Sequence, residues 1–228
     1  IIFLNNSPIL VETSATFFAL TGLLLSWLIA RRIHFGGWVL RLILSGIAVS
    51  AFFSAGLGVI KYLADPLSQL PAITFWLMGG LNAVTWKDVF YILPVVLVGL
   101  VIIVLMRWRL NLLALGDETA ASLGVAVKTE RILLLVVSVA ISAVVVGVAG
   151  IVSWIGLIIP HIARRLVGAN AAKFIPVCIS FGGVFGILCD DIARTVSAGE
   201  IPLGIITSLL GSLIFVGLML SPRMRFHR

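Results

Sequence analysis

The run ILLLVVSVAISAVVVGVAGI, residues 132–151, carries no charged side chain. At about 1.5 Å per helical residue it matches the ~30 Å hydrocarbon core of a bilayer, so it reads as a transmembrane helix. Residues 90–106, FYILPVVLVGLVIIVLM, read the same way. A barrel strand would alternate polar and apolar positions, and neither run does. Composition extends the reading to the whole chain: 61% of residues are hydrophobic and 11% charged, with a mean hydropathy of +1.23. That leaves too little polar surface to wrap a water-soluble globule. The fold class is an all-α, polytopic membrane protein.

Outward from these two runs, seven segments qualify as spans: 13–30, 42–63, 89–106, 132–150, 152–167, 174–194 and 203–220. The fifth is the shortest and holds Pro160 followed by His161, Arg164 and Arg165. It is expected to enter as irregular backbone and finish as a helix, which requires protein around it rather than lipid. Cys178 and Cys189 lie in one apolar segment and read as small packing residues, not as a disulfide or metal framework.

The net charge of +7 is informative through its distribution among loops. Alternating the loops puts Arg31, Arg32, Arg41, Arg107, Arg109, Lys128, Arg131, Arg164, Arg165, Lys173, Arg223, Arg225 and Arg228 on one side. Only Lys61, Lys87 and Arg194 fall on the other, so the richer side is cytoplasmic and the C-terminus ends there. The chain then starts outside. It begins at Ile1 without a methionine or a signal-peptide pattern, and residues 1–12 read as the tail of a preceding element.

The longest internal connection, 107–131, holds the acid-bearing stretch Leu115-Gly116-Asp117-Glu118-Thr119-Ala120-Ala121-Ser122-Leu123-Gly124. Its pattern predicts two short helices broken at Gly116 and Gly124, with Asp117 and Glu118 in the first turn of the second, where the helix dipole favours them. Ala120, Ala121 and Leu123 then form a small apolar knob suited to a groove on a partner protein. A solvated loop with capping acids fits the same residues.

In order along the chain, 75–80 (FWLMGG), 110–124 (LNLLALGDETAASLG), 156–164 (GLIIPHIAR), Gly168, Asp190 with Ala193 and Arg194, 200–204 (EIPLG) and Gly211 form a series. That series resembles the permease subunits of type II ABC importers, which carry iron siderophores, haem, vitamin B12 and related chelates. The resemblance covers essentially the whole chain, residues 1–228, as one permease domain. It implies about ten spans in a complete permease, the seven here being equivalent to the last seven. About three N-terminal spans would then be absent.

It further implies a homodimer with a second permease copy, cytoplasmic ATP-binding subunits carrying ATP and Mg²⁺, and a periplasmic or lipid-anchored substrate-binding protein, all in the cell (inner) membrane. Residues 107–131 become the cytoplasmic coupling loop, with Gly116, Asp117, Glu118, Ala120, Ala121, Leu123 and Gly124 meeting the ATPase. Arg194 becomes the contact to the binding protein, although Asp190 four residues earlier offers it a local ion pair. Among cargoes, iron siderophore comes first because that class is the largest in the family, with haem, vitamin B12 and molybdate open.

Beside the resemblance stand the residues' own chemistry. The sequence has no Gly-x-x-x-x-Gly-Lys-Ser/Thr loop, so ATP hydrolysis is expected on another polypeptide and the chain is no enzyme, with no cofactor of its own. Ser45, Ser50 and Ser54 on one span and Thr207, Ser208 and Gly211 on the last form small, hydroxylated faces, which either pack helices tightly or line a wettable path. The resemblance favours lining of the translocation pathway. Pro160, His161 and Arg164 read as a hinge or structural element, since one imidazole without Cys, Asp or Glu partners makes a poor metal site. Gly182, Gly183 and Gly186 have the spacing of close helix packing, and Trp76, Trp86 and Trp154 that of an aromatic belt. The transport alternative is an ion-coupled secondary transporter, which would need coupling carboxylates near mid-membrane; the spans hold none.

Overall fold

The computed structural model describes residues 8–197 and 199–220. Within them the chain is helical: α1 (Pro8–Arg32), α2 (Trp38–Leu63), α3 (Gln69–Met78), α4 (Trp86–Leu105), α5 (Arg107–Leu113), α6 (Asp117–Ser122), α7 (Val127–Ala149), α8 (Ile155–Val167), α9 (Ala171–Thr195) and α10 (Leu203–Leu220). The basic tail Arg223, Arg225 and Arg228 and residues 1–7 lie outside the described residues. Residues 8–12, expected to belong to a preceding element, are the first turns of α1.

Six helices, α1, α2, α4, α7, α9 and α10, are long and apolar enough to cross a membrane. The expected fifth span is different. α8 has 13 residues, or about 20 Å of helix, which falls short of the hydrocarbon core. The missing length is the non-helical run before it, where Gly150 has φ +69° and Trp154 is left-handed at φ +70°. α3 was not expected as a helix, because ten residues are too few to register as a span.

The helices group into two compact units. In the first, α1 and α2 form a hairpin whose turn is stapled by Arg41: its Nε donates to the Gly36 carbonyl at 2.9 Å and its guanidinium to the Ile33 carbonyl at 3.1 Å. Arg31 lies over the Trp27 ring at 4.5 Å. After α2 the Asp65 carboxylate accepts from the Ser68 hydroxyl, which holds its pKa below the usual range. Thr85 and Asp88 start α4 with a reciprocal cap, the Thr85 N–H donating to Asp88 Oδ2 at 2.8 Å. α4 meets α7 at Gly99, where an added Cβ would come 2.6 Å from Ile141 Cδ1. Many other side chains of α1, α2 and α4 are exposed and apolar.

The second unit contains α5, α6, α8, α9, α10 and the end of α3. Its core is Cys189 and Ala193 of α9 with Leu203 and Ile206 of α10, covered by Val152, Phe185, Ile192, Ile201 and Leu210. Beside this core three glycines bring backbones together. An added Cβ at Gly79 would lie 2.6 Å from the Ile151 carbonyl oxygen. One at Gly204 would collide with the Met78 carbonyl and lie 2.9 Å from that of Ile151, and one at Gly150 would collide with the Trp76 carbonyl. The irregular run before α8 is thereby covered by protein, and the Gly80 N–H donates to the Ala149 carbonyl at 2.9 Å.

Candidate functional site

The acid-bearing stretch folds as two short helices with glycine breaks. α5 ends in tightening turns, with the Ala114 N–H donating to the Leu110 carbonyl at 3.1 Å and that of Leu115 to Leu112 at 3.1 Å. Gly116 then turns the chain at φ +103°, a conformation that L side chains rarely adopt. α6 closes in the paired pattern of a glycine-terminated helix. The Val125 N–H donates back to Ala120 and the Gly124 N–H, at φ +81°, to Ala121, each at 3.0 Å.

That closure corrects one expectation about the knob. The end of α6 turns Ala120 and Val125 inward; Ala120 is fully buried and offers no side-chain surface to a partner. Leu115, at 59% exposure, and Leu123, at 54%, stand out instead. Asp117, Glu118 and Ala121 are exposed with them. The result is an apolar and acidic surface.

α6 packs on α5, and α5 on α9. The second contact is made by Asn111. Its Oδ1 accepts from the Ala171 N–H at 2.8 Å and its Nδ2 donates to Asn170 Oδ1 at 3.4 Å. Asn170 is itself the N-cap of α9, accepting from the Ala172 N–H at 3.0 Å. The first N–H groups of a helix lack intrahelical partners, and here a side chain from another helix satisfies one of them. Asn170 ahead of an apolar run was a readable N-cap signal, whereas Asn111 lies 59 residues away and had none.

α9 runs about 37 Å at the rise of an α-helix. Arg194 lies in its last turn, so the α5 contact and Arg194 stand at opposite ends of one membrane-length helix. Arg194 Nε donates to Asp190 Oδ2 at 2.8 Å, with the arginine side chain 44% exposed. The local ion pair exists, and the guanidinium still faces outward.

The small-residue faces divide. Ser50 and Ser54 are exposed and Ser208 is half-buried. Ser45, Thr207 and Gly211 are buried, which corrects their placement on an open path. The Thr207 hydroxyl donates to the Gly204 carbonyl at 3.2 Å, and the Ser45 hydroxyl to that of Leu42 at 3.0 Å. An added Cβ at Gly211 would lie 2.6 Å from Trp154 Cβ, so this glycine admits α8 against α10. Within this chain an added Cβ at Gly182, Gly183 or Gly186 would meet nothing within 4 Å.

The Pro160 region is a packing element. The His161 ring meets Phe215 edge-on at 6.2 Å, and Phe215 also packs on Trp154 at 5.9 Å. Trp154 therefore has a packing partner within the chain. Arg164 reaches over Phe174 at 5.8 Å. Among the described residues no three His, Cys, Asp or Glu side chains gather where they could hold a metal ion.

Comparison with known proteins gives a consistent answer. The chain is 39% identical to the molybdate import system permease protein MolB of Haemophilus influenzae, over 78% of this chain and 52% of that one. It is 38% identical to an iron chelatin transport system permease protein of Helicobacter pylori, over 93% of this chain and 66% of that one. Among solved structures it matches one described as an inward-facing conformation of a metal-chelate type ABC transporter. The TM-score is 0.87 and the identity 35%, covering 93% of this chain and 68% of the other. The chain spans between about half and two thirds of the length of these curated relatives. With the sequence profile matching from residue 1 to residue 221, the chain belongs to the FecCD transport family.

Proposed function

We propose that this chain is the membrane permease part of an ATP-binding-cassette importer for an iron siderophore or a related metal chelate, cofactor or oxyanion. The observation that carries the reading is the exposed coupling surface of α5 and α6, fastened to the start of the membrane-length α9. An ATP-driven transport chain without a phosphate loop of its own draws on a separate motor, and this surface offers that motor a foothold. Asp117, Glu118, Ala121 and Leu123 make the contact, while Gly116 and Gly124 set the shape of α6 and Ala120 anchors it. The coupling end is cytoplasmic, as is the C-terminus, and Arg194 faces a substrate-binding protein on the other side.

Two copies of the permease flank the route, and each supplies the seven segments equivalent to the last seven of a ten-span fold. Access alternates as bound ATP and its hydrolysis on the partner move the helices. Ser50, Ser54 and Ser208 remain the candidates for lining the path. ATP and Mg²⁺ belong to the partner, and the chain itself carries no catalytic group. The relatives' names, among them molybdate, iron chelatin, hemin and cobalamin, support this range of cargo without choosing within it.

The test is uptake into proteoliposomes holding the full permease, its ATPase and its binding protein, with a ferric siderophore and with molybdate as probes. Accumulation of one of them that requires internal or external ATP on the ATPase side supports the reading. Accumulation driven by an ion gradient without the ATPase would establish the secondary-transporter alternative.

A further inference from the structure

The contact between α5 and α9 has the chemistry of a mechanical joint. A helix moved by its neighbour needs a connection stiffer than a sliding apolar contact, and hydrogen bonds of fixed direction supply one. Asn111 makes two such bonds, one to the Ala171 N–H at 2.8 Å and one to Asn170 at 3.4 Å. Ala171 is buried, so its N–H has no easy replacement in water. The partner groups belong to the first turn of α9, which continues as a helix to Arg194 with Pro176 inside its second turn.

We propose that Asn111 is the positioning residue that ties the coupling segment to α9, so that a displacement imposed on α6 and α5 is delivered to α9 as a rigid movement. This rests on the functional reading given above. Asn111 itself need not touch the ATPase. Its amide holds α5 to the cap of α9, and α9 transmits the displacement along its axis toward the end bearing Asp190 and Arg194.

Spin labels at Trp108→Cys on α5 and Ile187→Cys on α9, both exposed positions, report the separation of the two helices. The labels are placed in the assembled transporter with Cys178→Ala and Cys189→Ala, and pulsed electron resonance is recorded without nucleotide and with ATP plus vanadate. The expected result is one distance, the same in both states. Asn111→Ala should make that distance shift by several ångström or broaden between states, while co-purification of the ATPase shows that the complex still forms. Asn111→Asp should restore the constant distance only in part, because its carboxylate still accepts from the Ala171 N–H but cannot donate to Asn170 Oδ1. A distance that changes between states in the parent, or stays constant in Asn111→Ala, overturns the role of Asn111 alone. Failure of the parent to bind the ATPase overturns the functional reading and this inference together.

Discussion

The two ends of α9 are held by different means. At its start, a side chain from α5 and the Asn170 cap satisfy the free N–H groups at 2.8 and 3.0 Å. Near its end, the core of Cys189, Ala193, Leu203 and Ile206 lies beside backbones that touch through Gly79, Gly150 and Gly204. Side-chain hydrogen bonds can be replaced by other side chains of similar reach. Backbone contacts through glycine admit no replacement, since even a methyl group collides with a carbonyl oxygen. The start of α9 should therefore tolerate substitution better than its finish, where the packing leaves no room for a side chain.

Substitutions should separate the two ends, the fixed one failing hardest. Gly204→Val places branched carbon against the Met78 and Ile151 carbonyls. Overpacking costs about 1–3 kcal/mol where neighbours can adjust, and backbone oxygens adjust least, so loss of a monodisperse peak on heating in detergent is expected at the lowest temperature of the series. A wild-type melting profile for Gly204→Val would break the comparison. Asn111→Ala comes next: it strands the buried Ala171 N–H at a cost of about 1–3 kcal/mol. Its effect should appear as faster hydrogen exchange in the first turn of α9, with the last turn unchanged.

Gly124→Ala is smaller again, about 1 kcal/mol for a left-handed non-glycine residue, and should be confined to α6. Limited proteolysis within 116–125 would detect it, and cleavage spreading into α9 would argue against a local effect. Arg194→Ala should leave the melting profile unchanged, because the exposed pair with Asp190 is screened by solvent. It should still weaken capture of the substrate-binding protein, measured by pull-down at low and high salt.

The long spans were legible because apolar runs such as 132–151 have one explanation in a bilayer. Gly116 and Gly124 likewise gave away α5 and α6, since glycine at those breaks has a local cause. Other features depend on partners distant in sequence. Serine and glycine faces look alike whether they pack or line a path, so the burial of Ser45, Thr207 and Gly211 could not be read from spacing. The joining of Gly79, Gly150 and Gly204 has the same origin: each glycine was visible, but their mutual contact was not. Trp154 matched an interfacial tryptophan in position, and its packing on Phe215 and against Gly211 could not be read from that position. Ala120 matched an exposed knob by residue type, but the closing hydrogen bonds of α6 turn it inward.

The central claim is that the surface around Glu118 and Leu123 is where a separate ATPase takes hold. Both side chains are exposed, so Glu118→Arg with Leu123→Arg should leave the permease folded while reversing the charge and removing the apolar contact. Co-purification of the ATPase with the tagged permease tests this most directly. The account predicts that the parent retains the ATPase and the double variant loses it at an unchanged melting temperature; equal recovery of the ATPase with both chains would contradict it.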